Sequence, residues 1–186
     1  MIKSIIISGP PAIGKTTIAK GLAKEFSLLC VSGGDVLKEL AKEEGFETSG
    51  DDWWDKPQGM KFLNQRQENS EFDKKVDEKL KELFLKGNVV ITSYTLPWLI
   101  NDGIKIWLSG SIENSSKRMS SRDNTTLDEA LVIVKKRFEE NKIIYKKLYG
   151  FNFSDDLSVF DKIIETDGLD INQVLEIAKT TVSELF

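Results

Sequence analysis

The sequence predicts a three-layer α/β/α sandwich on a five-stranded parallel sheet, and three observations predict it. Short apolar runs alternate with helical patterns along the whole chain. The first of these runs leads into a glycine-bearing loop that itself opens a helix. The length, 186 residues, suits a single core carrying at most a short insert. Strand alternating with helix implies parallel pairing through right-handed crossovers, with helices covering both faces of the sheet.

The elements follow in order. Ile2 to Ser8 contains the continuous run Ile5-Ile6-Ile7, which a strand buried on both faces requires. From Lys15 to Phe26 the apolar residues Ile18, Ala19, Leu22, Ala23 and Phe26 recur at helical spacing. Further strands are expected at Leu28 to Ser32, Val89 to Thr92, Ile104 to Leu108 and Lys162 to Glu165. Helices are expected at Asp35 to Glu44, Phe72 to Phe84, Leu127 to Leu148 and Ile171 to Leu185. Between 45 and 67 the periodicity is poor, and Gly50, Pro57, Gly59 and the Trp53-Trp54 pair mark an insertion. Those tryptophans could cover a substrate or pack down as a local core. A polar connector, Ser120 to Thr126, joins two arginine-bearing helices. Its Thr126 is placed to cap the second, with Glu129 three residues on. Such a hinge suits a lid that closes over a charged ligand.

The segment Gly9-Pro10-Pro11-Ala12-Ile13-Gly14-Lys15-Thr16-Thr17 matches G-x-x-x-x-G-K-[ST], the phosphate-cradling loop of nucleotide enzymes. Gly9 and Gly14 let the backbone curl so that successive N–H groups face a phosphate, and the helix N-terminus adds partial positive charge. Lys15 can reach the β- and γ-phosphates, and the Thr16 hydroxyl can enter a Mg2+ shell. The predicted architecture is therefore a P-loop NTPase fold that binds a nucleotide. In such sheets ligands sit beyond the carboxyl ends of the strands, so the turns after Ser32, Thr92 and Leu108 should face the loop.

Composition excludes several chemistries. With no histidine, His-based acid–base catalysis and His-ligated zinc are ruled out. The single Cys30 supplies neither a disulfide framework nor a metal site, and is expected as a small buried side chain in a reducing cytoplasm. No run is long enough to cross a bilayer, and no signal-peptide pattern opens the chain. A net charge of −4 gives no support for broad nucleic-acid binding and leaves only a local basic patch open. Of 26 basic residues only Arg66, Arg118, Arg122 and Arg137 are arginines, and three of them fall between 118 and 137. The rigid guanidinium fork suits phosphate oxygens better than an ammonium does.

The order of these features resembles the nucleoside monophosphate kinases, and among them is most similar to the archaeal type of cytidylate kinase. The resemblance rests on the P-loop, Ser32-Gly33-Gly34-Asp35-Val36-Leu37-Lys38, and Asn69-Ser70-Glu71-Phe72-Asp73 with Val76-Asp77. It continues through Gly87-Asn88-Val89-Val90, Trp98, Arg118, Arg122, Arg137, Tyr145, Leu148-Tyr149-Gly150 and Asp156-Leu157-Ser158. It implies one kinase domain over 1–186, with an acceptor-binding insert at 45–79 and a lid at 118–148. It implies ATP as donor, with Mg2+, and CMP or a similar monophosphate (dCMP, UMP or AMP) as acceptor. Lys15, Arg118, Arg122 and Arg137 would be catalytic, and Ser32, Gly34, Asp35, Lys38, Arg66 and Tyr94 would bind the acceptor. A cytoplasmic monomer or small homo-oligomer working on small-molecule nucleotides is expected.

The chain departs from the family's pattern on the acceptor side. Thr92-Ser93-Tyr94 stands where the family has Glu-Gly-Arg, Lys38 and Ile144 each stand where it has arginine. Arg66, and stacking by Trp53 or Trp54, are the replacements the sequence offers. Two other readings stay open on the residues alone: an ATP-binding switch or slow ATPase with a degenerate acceptor site, and a kinase of a non-nucleotide metabolite.

Overall fold

The computed structural model describes residues 4–48, 53, 57–68 and 71–185, except the side chains at 60, 63 and 65–68. Trp54 and the Arg66 side chain thus lie outside the described residues. Five strands, β1 (Ile5–Ser8), β2 (Leu29–Ser32), β3 (Val89–Thr92), β4 (Ile104–Ser109) and β5 (Lys162–Glu165), form one parallel sheet in the order β2-β3-β1-β4-β5. The helices are α1 (Lys15–Glu25), α2 (Gly33–Glu43), α3 (Pro57–Glu68), α4 (Glu71–Lys86), α5 (Leu96–Leu99), α6 (Ile112–Asp123), α7 (Leu127–Tyr149) and α8 (Ile171–Leu185).

The alternation of side chains along β1 builds two cores. Ile5 and Ile7 join Val90, Ile104, Ile106 and Leu108 under α1 and α8. Ile6 joins Val89 and Ile91 on the opposite face, under α2 and α4. All three isoleucines are fully buried, each contributing about 1.5–3 kcal/mol of apolar burial. The central position of β1 follows from this, since only a strand apolar on both faces can sit between two helical layers.

The edge strands differ. β2 pairs with β3 alone, so Leu29 is exposed and Cys30 only half-buried. The expected fully buried thiol is corrected accordingly: an edge strand cannot cover both faces of its residues. The poorly periodic insert holds a helix, α3, which the pattern of glycine and proline had concealed. Trp53 is 2% exposed and lies 5.8 Å from Phe62, which also meets Phe46 and Phe72. It packs as local core and is not available to stack on a ligand.

A third cluster lies beyond β4. Trp98 stacks on Phe151 at 4.7 Å and meets Trp107 edge-on at 6.2 Å, while Phe153 touches Trp107, Tyr145 and Tyr94. Beneath it, the buried Lys105 ammonium donates to the carbonyls of Pro97, at 3.0 Å, and of Ile100. These are terminal carbonyls of the one-turn helix α5, so a charge on β4 fixes the segment that follows β3.

Candidate active site

The loop after β1 adopts its shape for steric reasons. At Gly9, φ is +147°, and a Cβ there would stand 2.4 Å from the Leu108 carbonyl oxygen. Gly14, at φ +103°, caps α1 with no side chain, and the first turn of α1 carries no acidic residue. The leading N–H groups of α1 are thus uncapped by side chains at the mouth of a cavity of about 640 Å3. That volume lies in the range of small-molecule sites, and a helix start of this kind suits a phosphate. Ala12, Ile13, Gly14, Lys15, Thr16 and Thr17 line the cavity; Gly9, Pro10 and Pro11 do not.

Lys15 is bent back over its own loop. Its Nζ donates to the carbonyls of Gly9 at 2.9 Å and Pro10 at 2.6 Å, and lies 4.4 Å from the centre of the Tyr94 ring. Burial pushes the ammonium below the usual lysine range; Tyr94 opposes that shift and Arg137 adds to it. An incoming phosphate would supply the negative charge that this desolvated cation lacks.

The arginines converge from α6 and α7. Arg118 donates through Nη1 to the Ile13 carbonyl at 2.9 Å and to Thr166 Oγ1 at 3.1 Å, and through Nη2 to the Thr166 carbonyl at 3.2 Å. One guanidinium thereby ties the phosphate loop to the turn after β5. Asp167 in that turn accepts from the Ser111 N–H at 2.9 Å and Asn114 Nδ2 at 2.7 Å, anchoring the start of α6. Arg137 lines the cavity near Lys15. Arg122 stands at the cavity edge, half exposed, with Nε and Nη2 donating to Asp123 at 2.5 and 2.6 Å. Between α6 and α7 the expected capping box is present. Thr126 Oγ1 accepts from the Glu129 N–H at 3.3 Å, while the Glu129 carboxylate accepts from the Thr126 N–H at 3.0 Å.

Of the residues expected to bind an acceptor, Ser32, Gly34, Asp35 and Tyr94 line the cavity. Lys38 does not; Leu37 takes the cavity-facing position on α2. Tyr94 brings a ring where the resemblance has a guanidinium, packed at 5.6 Å on Phe153 and 6.2 Å from Tyr145.

Residues with no assigned role in the sequence complete this wall. Asp73 and Asp77 on α4 are 5% and 7% exposed, and Thr95, Glu140 and Asn141 are also buried at the cavity. Asp77 accepts from the Thr95 hydroxyl on one oxygen and from the Tyr149 hydroxyl, at 2.6 Å, on the other. Burial, then Asp77, drives the Tyr149 phenol well above its ordinary range. A signal for these carboxylates existed. Asp73, Val76, Asp77, Leu80 and Phe84 form the buried stripe of α4, and acids on an apolar stripe face something polar.

The family model described as the cytidylate kinase-like family matches residues 4–168. The chain belongs to that family. It is therefore a phosphotransferase, and the loop and arginines above stand in a kinase. A relative named cytidylate kinase from Sulfurisphaera tokodaii is 35% identical over 176 residues, covering 93% of this chain and 91% of that one. Another of that name, from Methanocaldococcus jannaschii, is 32% identical over 186 residues, covering 97% and 98%. Among solved structures, an uncharacterised protein from Eubacterium ventriosum superposes with a TM-score of 0.70 at 17% identity, covering 99% of each chain. A shikimate kinase from Aquifex aeolicus gives 0.57 at 20% identity, covering 98% of this chain and 97% of that one. A gluconokinase from Sinorhizobium meliloti gives 0.56 at 15%, covering 98% and 93%. At such identities these structures establish the P-loop kinase fold and leave the acceptor to the site itself.

Proposed function

We propose that the protein transfers the γ-phosphoryl group of ATP to CMP, giving ADP and CDP. The observation that carries this reading is one continuous cavity, walled by an uncapped P-loop on one side and by buried polar groups of α4 and α7 on the other. Such a cavity fits two nucleotides meeting end to end, and the relatives of matching length are named cytidylate kinases.

In this reading the segment Gly9 to Thr17 holds the donor phosphates through backbone N–H groups. Lys15 leaves the Gly9 and Pro10 carbonyls and takes the β- and γ-phosphate oxygens as its partners. Arg118, already fixed to Ile13 and Thr166, borders the donor nucleotide. Arg137 faces the transferred group, and Arg122 moves in from the rim as the lid of residues 118–148 closes. The Lys136–Asn64 hydrogen bond, 3.0 Å, supports that assignment because it already joins α7 to α3 in the insert of residues 45–79. An acceptor phosphate oxygen attacks the γ-phosphorus and the bond to the β,γ-bridging oxygen breaks. That attacking oxygen is already anionic, so no protein base is required. The arginines neutralise charge spreading over the transferred group in a water-poor cleft.

Mg2+ fits as an ion delivered with the nucleotide. Thr16 lines the cavity, and Thr92 fills the place of the family's carboxylate. No cluster of three acidic, His or Cys residues suited to a metal occurs among the described residues. Thr16 would help to hold it, and it would supply neutralisation of the donor's phosphate charge. Ser32, Gly34, Asp35 and Tyr94 contribute to the acceptor wall; Arg66, whose side chain lies outside the described residues, is assigned to the acceptor phosphate by its chemistry alone. The cytoplasm is the compartment we assign, on the strength of a free Cys30 and the nucleotide substrates; no described helix is long and apolar enough to cross a membrane. We assign a monomer or small homo-oligomer acting on small-molecule nucleotides.

A coupled ADP-release assay against CMP, dCMP, UMP and AMP tests the reading. CMP-dependent release with CDP as product is expected; release indifferent to every monophosphate would overturn it.

A further inference from the structure

We infer that Tyr94 is a positioning residue of the donor side: its ring seats the Lys15 ammonium and confines it between the loop carbonyls and the donor phosphates. The inference rests on the reading of the P-loop as the donor-phosphate site and needs nothing of the acceptor's identity. It gives a new role to a position that the resemblance assigns to acceptor binding.

The argument starts from the lysine. A four-carbon stem gives an ammonium many resting places, and a cation that must meet phosphate oxygens binds them less well for each one it can occupy instead. Around Lys15 those places are few. The Gly9 and Pro10 carbonyls accept from its Nζ at 2.9 and 2.6 Å, and the centre of the Tyr94 ring lies 4.4 Å from the same nitrogen. The carbonyls hold the ammonium by directed bonds, which break as it turns to phosphate. The ring attracts it through the negative face of its π-system, an attraction that acts over the whole ring and persists through the turn. The contact also favours the charged lysine. Burial drives Lys15 toward its neutral form, Tyr94 opposes that, and the Arg137 guanidinium adds to it.

A ring can seat a cation only if the ring itself is fixed, and Tyr94 is fixed through both of its chain neighbours. The Ser93 N–H donates to the Ile7 carbonyl of β1 at 3.2 Å. Ser93 Oγ accepts from the N–H groups of Thr95 at 3.1 Å and Leu96 at 3.0 Å. The Thr95 hydroxyl donates to Asp77 on α4, whose other oxygen accepts from Tyr149 at 2.6 Å. Farther along, the Lys105 ammonium of β4 donates to the Pro97 and Ile100 carbonyls and holds the far end of α5. The ring itself packs edge-on against Phe153 at 5.6 Å. Tyr94 is thus tied to β1, α4 and β4 and cannot follow the lysine; the lysine must move along the ring. A guanidinium in this place would repel Lys15, whereas a phenol attracts it. The departure that removes an acceptor guanidinium therefore adds a donor-side contact.

The test is a double-mutant cycle on kcat/KM for ATP, with Lys15→Ala and Tyr94→Leu as its two changes and Tyr94→Phe beside them. Tyr94→Leu should lower kcat/KM for ATP about tenfold, the scale of one desolvated cation–π contact, and leave the KM for CMP within about twofold. Tyr94→Phe keeps the ring and should lose no more than about threefold. In the Lys15→Ala background, Tyr94→Leu should cost less than about twofold more, because the group it acts through is gone. The full loss repeated in that background would overturn the inference. So would a raised KM for CMP with kcat/KM for ATP unchanged, which returns Tyr94 to the acceptor. Tyr94→Phe as impaired as Tyr94→Leu would overturn it too, since the hydroxyl and not the ring would then act. A ring that is only structural would lower the melting temperature and leave kcat/KM for ATP at the parent's value, and that result also ends it. If Tyr94→Leu does not fold, Tyr94→Met takes its place in the cycle. If no monophosphate is phosphorylated, the monophosphate-kinase reading fails by itself, and the cycle is read on ATP dissociation constants by calorimetry. Non-additive losses there support the inference; additive losses, or none, overturn it.

Discussion

In the proposed reaction the donor and acceptor halves of the cavity are built in opposite ways. On the donor side the main chain does the recognition: Gly9 and Gly14 set the curl, the first turn of α1 offers its N–H groups, and Arg118 is strapped to two backbone carbonyls. On the acceptor side the recognition falls to side chains from α2, α4, the segment after β3 and α7, which meet only when the chain has folded. A backbone device leaves a local signature in sequence, because it needs glycines at fixed offsets. A side-chain device assembled from distant segments leaves almost none, and it is free to change residue by residue.

The largest expected effect is on the scaffold of the acceptor side. Trp53→Ala should destabilise the fold by about 3–5 kcal/mol, the usual cost of deleting a buried indole, read as a lower denaturation midpoint. If the loss is under about 1 kcal/mol, Trp53 is not core and the stacking role returns. The donor side is tested by Lys15→Ala. It removes one charge-assisted phosphate contact and leaves the N–H nest, so kcat/KM for ATP should fall at least about a hundredfold with the melting temperature little changed. A folded variant with parent-like turnover would remove the P-loop from the mechanism.

Tyr94 joins the two halves, and its substitution separates them. The ring faces the Lys15 ammonium at 4.4 Å, so Tyr94→Arg sets a second cation beside one that burial already disfavours. Lys15 must be protonated to hold phosphate, and its pKa is lowered in the fold. ATP binding by the free enzyme should therefore weaken as pH rises toward the ordinary lysine value of about 10.4, with onset below it. Tyr94→Arg should move that alkaline limb to still lower pH. An unmoved limb would mean that the guanidinium turns to the acceptor, as in the family's pattern, and CMP affinity should then rise.

How much of this was legible follows from the same contrast. All five strands, the P-loop and the Thr126 capping box were readable, because each is a short pattern of adjacent residues. The grouping of Arg118, Arg122 and Arg137 at one cavity was readable because arginine is rare in a chain rich in lysine. The helix α3 was not, since Pro57 at its start and Gly59 within it break the apolar period while tertiary packing of Phe62 secures it. Trp53 was open to two readings, a cover over a ligand or local core, because its acidic neighbours suggest surface; the fold decides for core, with the indole packed on Phe62. Asp77 was quoted as a family likeness without a role. Its partners Thr95 and Tyr149 are distant in sequence, and only the fold brings their hydroxyls to it.

The smallest effect concerns the hinge. Thr126→Ala removes the N-cap of α7 and should cost about 1 kcal/mol, seen as a modest drop in melting temperature. Hydrogen bonds from Thr125 and Thr126 hold the Glu129 carboxyl down to about 2. A depressed carboxyl stabilises the fold above its unfolded value of about 4.3, and that contribution is lost as pH falls toward 2. The pH dependence of melting between about 4.5 and 2 should therefore be shallower in Thr126→Ala than in the parent.

The central claim is that the rebuilt acceptor wall is a working one, with Tyr94 where the family has an arginine. It is tested most directly by single-turnover transfer from γ-labelled ATP to CMP, separated by chromatography. The label is predicted in CDP, with none released as inorganic phosphate beyond the rate without CMP. Label appearing only as inorganic phosphate, at a rate that CMP does not change, would contradict the claim and make the protein an ATPase.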